Sequence, residues 1–254
     1  MDEPQLRIYI AGNLALERGA VLMPEARFPG AQARLAFALL VTERSNALST
    51  ERIADVLWDG EPPAAWGTAL RAIVSKLRSV IDETGAATSI EHSGGSYQLR
   101  VPPDTWVDVE ASAAATHDAE VALRDGAFDA ATGAALVAIA IARRPFLEGV
   151  EGVWVQRQRA QLHDVQVRAL WCRAESAFAR GDRSNAIGDA ERIIELEPFR
   201  EQAYVMLMRA HVEAGNNAEA LATYERLRGT LASELGADPS PTTEAAYLEV
   251  LRAT

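Results

Sequence analysis

Two stretches in the second half of the chain follow one pattern, 34 positions apart. GDRSNAIGDAERI begins at Gly181 and GNNAEALATYERL begins at Gly215, so that Ala186 aligns with Ala220. Paired-helix repeats of this length place small residues where two helices approach closely and glycine in the turns between them. The pattern predicts a tetratricopeptide-like helical domain. Such an array either binds partners along a concave face or serves only as a scaffold, and the repeat alone does not decide between the two.

The first hundred residues carry a different pattern, in which strand-like segments precede three helices. RIYIAG and NLALERG alternate apolar and polar residues and are interrupted by Gly12 and Gly19. Ser49 or Thr50 is the expected cap of the second helix. The predicted elements are strands between residues 6 and 23, helices over 31–42, 48–58 and 64–82, and a hairpin over 89–101 with Gly94 and Gly95 at its tip. This order is typical of a winged helix-turn-helix with an N-terminal sheet.

The third predicted helix contains TALRAIVSKLRSVI and has two different sides. At about 100° per residue, one side collects Leu70, Ile73, Val74, Leu77 and Ile81. The other side carries Thr68, Arg71, Ala72, Ser75 and Ser79, flanked by Lys76 and Arg78. No carboxylate occurs from residue 64 to residue 81, whereas a solvated structural face usually mixes both signs. Cations and small polar residues suit close approach to phosphates and base edges, so a recognition helix is preferred here over a solvated helix.

Charge is distributed unevenly along a chain whose formal net charge is -11. Up to Pro102 there are ten Lys and Arg residues against twelve Asp and Glu, and after it there are fifteen against twenty-four. Net charge governs non-specific association with nucleic acid. The C-terminal part is therefore a poor nucleic-acid binder, and the N-terminal part can bind only through a local patch.

Several function classes have no support in the sequence. Cys172 is the only cysteine, and the four histidines are scattered without an HExxH pattern, so no metal site is expected. Lys76 follows no glycine-rich loop, so there is no P-loop, and neither an enzyme nor a bound cofactor is predicted. The start lacks a secretory signal, and AALVAIAIA is too short to span a bilayer. We expect a cytoplasmic, nucleoid-associated protein with no membrane partner.

The chain resembles the antibiotic-regulatory-protein (SARP) family of transcription activators. RIADVLWDGEPPAAW and TALRAIVSKLRSVI are similar to that family's helix, turn and recognition helix. EPFREQAYVMLMRAHVEAGNNAEALATYERLRGTLASELGADPSP and RPFLEGVEGVWVQRQRAQL are similar to its bacterial transcriptional activation domain. The resemblance covers about residues 5 to 252, and LASELGADPSP is its most specific part.

The resemblance implies a mainly α fold with a small β portion. It would comprise a response-regulator-type winged helix-turn-helix over residues 1–102, followed by a tetratricopeptide-like activation domain over residues 103–254. It also implies binding to double-stranded DNA at direct-repeat promoter sites upstream of a secondary-metabolite gene cluster, as a homodimer at least on DNA. Recruitment of RNA polymerase holoenzyme is implied as well. The DNA-binding residues expected from the polar face and the resemblance together are Arg34, Thr68, Arg71, Ala72, Ser75, Lys76, Arg78, Ser93, Gly94 and Gly95.

One departure from the family keeps a second hypothesis open. The segments before the first helix and after the third are GAQAR and SVIDE, which carry fewer cations than is usual in the family. Fewer cations release fewer counterions and weaken DNA binding. The alternative is a tetratricopeptide-like protein-interaction regulator whose DNA-binding domain is weak or non-functional.

Overall fold

The computed structural model describes residues 4–253, which form a mainly helical structure with two small sheets. The strands of this part of the chain are β1 (Leu6–Tyr9), β2 (Ala15–Arg18), β3 (Val21–Met23), β4 (Leu48–Ser49), β5 (Ser89–Ser93), β6 (Ser96–Arg100) and β7 (Trp106–Val107). Its α-helices are α1 (Gly30–Thr42), α2 (Thr50–Leu57), α3 (Trp66–Asp82), α4 (Asp108–Arg124), α5 (Phe128–Ala142), α6 (Val153–Ala179), α7 (Arg183–Leu196), α8 (Glu201–Glu213), α9 (Asn217–Leu235) and α10 (Pro241–Ala253).

The first sheet has the strand order β3-β2-β1-β7. β1 pairs antiparallel with β2 and parallel with β7, and its Leu6 and Ile8 are buried while Arg7 is exposed. This alternation is what a strand with one packed face requires. The predicted strands between residues 6 and 23 are therefore confirmed, while the two-residue β7 was not predicted.

Three helices and a hairpin follow in the predicted order. The Ser49 hydroxyl accepts a hydrogen bond from the Arg52 amide at 3.1 Å, so Ser49 rather than Thr50 caps α2. Pro62 and Pro63 precede α3, which packs against α1, α2 and β5. The helix begins at Trp66, two residues later than predicted.

The hairpin of β5 and β6 is closed by two glycines. Gly94 and Gly95 have φ values of 56° and 76°, which a two-residue turn between twisted strands requires and which side chains with a Cβ disfavour. β6 also pairs with β4, and the Gly95 carbonyl accepts from the Thr50 amide at 2.9 Å. The hairpin tip is thereby fixed to the start of α2.

After β7 every regular element of the described chain is helical, and the 34-residue repeat is visible in its geometry. The equivalent residues Ala186 in α7 and Ala220 in α9 are both fully buried. Gly181 and Gly215 have φ values of 80° and 79°, so the turns before the two helices share a left-handed residue. Each of the helices α7 to α10 packs on the next, and α8 also packs on α10.

The chain forms two compact units. The first contains residues 1–112 and 141–163, and the second contains residues 113–140 and 164–254. The change of domain that the sequence places between residues 102 and 103 stays a prediction. Within residues 4–253, no helix is both long enough and apolar enough to cross a membrane.

Candidate nucleic-acid interface

Helix α3 has the two-sided character that its sequence predicts. Its buried residues are Leu70, Val74, Leu77, Val80 and Ile81. Ile73 was expected in the core but is only half-buried. The exposed residues of the polar side are Thr68, Arg71, Ala72, Ser75, Lys76, Arg78 and Ser79. The structure therefore leaves one continuous face of α3, free of carboxylates from its start to Ile81, open to a partner.

The three cations of this face, Arg71, Lys76 and Arg78, take part in no ion pair among the described residues. The Arg71 Nη2 atom donates to the Thr68 hydroxyl at 3.1 Å, which orients the guanidinium along the helix surface. Lys76 is exposed one turn further along. An exposed guanidinium has five donors and can pair with a guanine edge or a phosphate, while an ammonium acts as a point charge.

Arg78 has a second role that the sequence did not indicate. Its Nε and Nη2 atoms both donate to the carbonyl oxygen of Ile90, at 3.0 and 2.6 Å. Ile90 lies in β5, at the edge of the second sheet. Arg78 thus connects α3 to the hairpin, and only its remaining donors are available to a ligand.

The predicted tip residues Ser93, Gly94 and Gly95 are exposed at the end of the hairpin. The pairing of Ser93 with Ser96 closes the ladder immediately before the turn. Backbone amides and a hydroxyl are the groups that this tip can offer to a phosphate.

Arg34 lies outside this group. It forms an ion pair with the Glu25 carboxylate, whose other oxygen accepts from the Leu14 amide at 3.0 Å. The Arg34 side chain is only 19% exposed, so this pair is partly shielded from solvent. A DNA contact of Arg34 stays a prediction, and it would require the pair with Glu25 to open.

Sequence reasoning missed a residue that fixes the turn between α2 and α3. Asp59 has a left-handed φ of 50°, and its carboxylate accepts a hydrogen bond from the Val153 amide at 2.9 Å. An acidic side chain at a helix N-terminus satisfies a free amide and the helix dipole. Asp59 therefore attaches the turn before α3 to the first turn of α6, a contact that no local pattern reveals.

No group of three or more His, Cys, Asp or Glu side chains suited to a metal ion occurs in the part of the chain described. Cys172 is buried, and that burial raises the pKa of its thiol to about 11. A thiol of this kind is a core residue with little thiolate at neutral pH.

Comparison with known proteins identifies the family. The model of the bacterial transcriptional activator domain matches residues 107–251. The chain belongs to this family. The regulatory protein AfsR of Streptomyces coelicolor is 32% identical over 222 residues, covering 87% of this chain and 22% of AfsR. The regulatory protein DnrI of Streptomyces peucetius is 26% identical over 260 residues, covering 98% of this chain and 93% of DnrI.

One solved structure is similar to this chain over both compact units. The structure of Mycobacterium tuberculosis EmbR in complex with a low affinity phosphopeptide has a TM-score of 0.85 and 26% identity, and covers 98% of this chain and 66% of that chain. The family match and these relatives confirm the resemblance to SARP-type activators. The chain spans 22% of AfsR and 57% of the curated EmbR sequences, so the activities of those whole proteins do not transfer directly.

Proposed function

We propose that the protein is a sequence-specific, DNA-binding transcriptional activator without enzymatic activity. Residues 1–102 form its winged-helix DNA-binding domain, and residues 103–254 form its tetratricopeptide-like activation domain. The observation that carries the proposal is the exposed side of α3, which presents Arg71 and Lys76 without an opposing carboxylate.

The expected mode of binding follows from the dimensions of DNA. The major groove admits one α-helix, and small residues such as Ala72 and Ser75 let the helix backbone approach the base edges. Arg71 then reaches a guanine edge, and Lys76 and Arg78 reach phosphates. The hairpin tip at Gly94 and Gly95 approaches the neighbouring backbone, and Thr68 and Ser93 supply hydroxyl donors.

Family membership supports the proposed partners and location. The proposal includes recruitment of RNA polymerase holoenzyme by the helical unit, and homodimer binding to direct repeats in front of a secondary-metabolite gene cluster. It also places the protein in the cytoplasm, on the nucleoid. AfsR and DnrI support the regulatory part, because both are regulatory proteins and both align over most of this chain.

The test is a gel-shift titration of the purified chain on the intergenic DNA upstream of its own gene, at moderate salt. A discrete complex is expected, and replacing one of two direct half-sites should abolish it. If no upstream fragment is bound at any salt concentration, the proposal is wrong.

A second candidate is a protein-interaction regulator with a weak or non-functional DNA-binding domain. The observation that favours it is that Arg34 and part of Arg78 are occupied by internal contacts, which leaves few free cations. This candidate predicts partner binding through the helical unit together with a failed gel shift.

A further inference from the structure

The second unit contains an open groove that the proposed DNA contacts do not use. α6, α8 and the start of α10 enclose a cavity of about 750 Å³. Pockets that bind small ligands usually measure about 300–1,000 Å³, so this groove is large enough to take a side chain. Its lining includes Trp171, Glu175, Phe199, Val205, Met206 and Arg209.

One part of the groove is apolar and partly uncovered. Phe199 lies between α7 and α8 with 46% of its surface exposed, so it contributes little to the core of its own unit. Val205 and Met206 of α8 and the half-buried Trp171 of α6 line the groove with it. Exposed aromatic residues beside such a depression are typical of protein contact sites.

Another part of the groove contains a partly buried carboxylate, Glu175, near the charge of Arg209. Glu175 is half-buried, yet it accepts no hydrogen bond and forms no ion pair with any residue from 4 to 253. Its burial raises the pKa of its carboxyl, against the lowering effect of the nearby Arg209 charge. The Arg209 guanidinium itself lies over the Phe178 ring, 5.5 Å from its centroid. A partly desolvated carboxylate is stabilised by a cationic donor.

Two other charged residues at the groove, Arg200 and Glu201, already have partners within the unit. Arg200 pairs with Glu197 at 2.8 Å, and its guanidinium lies over the Trp171 ring. Glu201 accepts from the Ser240 amide at 2.9 Å and from the Thr243 hydroxyl at 2.6 Å, at the start of α10. The groove therefore leaves room for a cationic hydrogen-bond donor at Glu175, in addition to the nearby Arg209 charge, and for an apolar group at Phe199.

We propose that this groove binds a segment of a protein partner that carries a basic side chain next to an apolar one. The basic group pairs with Glu175, and the apolar group packs on Phe199, Trp171 and Met206. The excess of carboxylates after Pro102, twenty-four against fifteen cations, favours a basic partner surface. The inference rests on the proposed function, because it assigns this segment to RNA polymerase holoenzyme.

The experiment measures binding of purified holoenzyme from the same organism to the immobilised full-length chain, without DNA. The groove variants are Glu175→Gln and Phe199→Ser. The matched controls are Glu234→Gln and Leu235→Ser, an exposed carboxylate and an exposed apolar residue of the same unit that do not line the groove. Each groove variant should weaken binding by about tenfold or more, as buried interface anchors do, and the controls should match the wild type.

A folding control and a comparison with the gel shift make the result decisive. Circular dichroism checks folding, and Phe199→Ser carries the test if Glu175→Gln unfolds, because the exposed Phe199 is not needed for the core. Groove variants that bind holoenzyme as the wild type does overturn the inference, and so does a wild type that binds DNA but no holoenzyme. A wild type that binds holoenzyme through the groove, yet fails the gel shift, supports the inference and overturns the proposed DNA-binding function.

Discussion

Arg71 is the residue on which the proposed DNA contact most depends. It is exposed on α3, its guanidinium is oriented by Thr68, and no carboxylate of the described chain neutralises it. Arg71→Ala should weaken binding to the cognate site by about 1–3 kcal/mol, the contribution of one bidentate arginine–guanine pair. Fluorescence anisotropy on a labelled operator measures the loss. Arg228→Ala, which removes an exposed arginine of the other unit, is the control and should bind like the wild type. Equal affinities of all three proteins would exclude Arg71 from the interface.

The reactivity of the Cys172 thiol tests whether the helical core excludes solvent at this residue. Burial raises the pKa of its thiol from 9.0 to about 11, so at pH 8 the folded chain should hold about a hundredfold less thiolate than the unfolded chain. Because the thiolate is the nucleophile, modification by a disulfide reagent should be slower by at least that factor in the native protein. Absorbance traces with and without urea give both rates. Native labelling as fast as in urea would show that Cys172 is accessible.

At the scale of elements, Arg78 determines how the hairpin is held against α3. Arg78→Lys keeps the charge but cannot donate from two nitrogens to the Ile90 carbonyl. We expect faster amide hydrogen exchange in β5 and β6, because such a hydrogen bond usually stabilises a fold by about 1 kcal/mol, together with a weaker affinity for DNA. Lys76→Arg is the matched control, since it conserves charge at a residue with no internal partner in the described chain. Unchanged exchange in the hairpin would contradict a bracing role.

The elements also show what the sequence could predict. The order of the first strands, α1 to α3, the glycine hairpin and the 34-residue repeat were all predictable, because each depends on local periodicity or on a turn residue. β4 and β7 were not, since two-residue strands have no period. Asp108 illustrates the same limit: its buried carboxylate accepts from the Ile10 and Ala11 amides at 3.0 Å, almost a hundred positions earlier. Within the candidate site, the polar face of α3 was predictable, but the internal partners of Arg34 and Arg78 were not.

At the scale of the whole molecule, each compact unit is built from two separate segments of the chain. The segment 141–163 belongs to the first unit although it lies inside the matched activator domain. Its Phe146 is buried and bridges to Ala11, and Trp154 donates to the Glu43 carboxylate at 3.3 Å. A fragment beginning at residue 104 should therefore expose this segment, bind a hydrophobic dye and unfold at a lower urea concentration than the full chain. A fragment as stable as the full chain would show that the segment does not need the first unit.

Salt dependence is the whole-molecule test of how DNA is bound. The sequence predicts four cations per protomer that contact DNA, namely Arg34, Arg71, Lys76 and Arg78. In the structure, Arg34 forms an ion pair with Glu25, and two nitrogens of Arg78 donate hydrogen bonds to the Ile90 carbonyl. If Arg71 contacts a base, about two phosphate contacts remain per protomer, through Lys76 and the free donors of Arg78.

At about 0.9 counterions released per contact, log affinity against log salt should have a slope near -2 for one protomer and near -4 for two. So shallow a slope leaves little non-specific affinity, and stable binding should need two half-sites about one helical turn apart on one face of the duplex. Titrations on one and two half-sites at several salt concentrations measure both quantities. Lys76→Ala should reduce the slope by about 1 per protomer, whereas Arg71→Ala should lower affinity and leave the slope unchanged. Tight binding to a single half-site with a slope much steeper than -4 would mean that another basic surface of the molecule contacts the DNA.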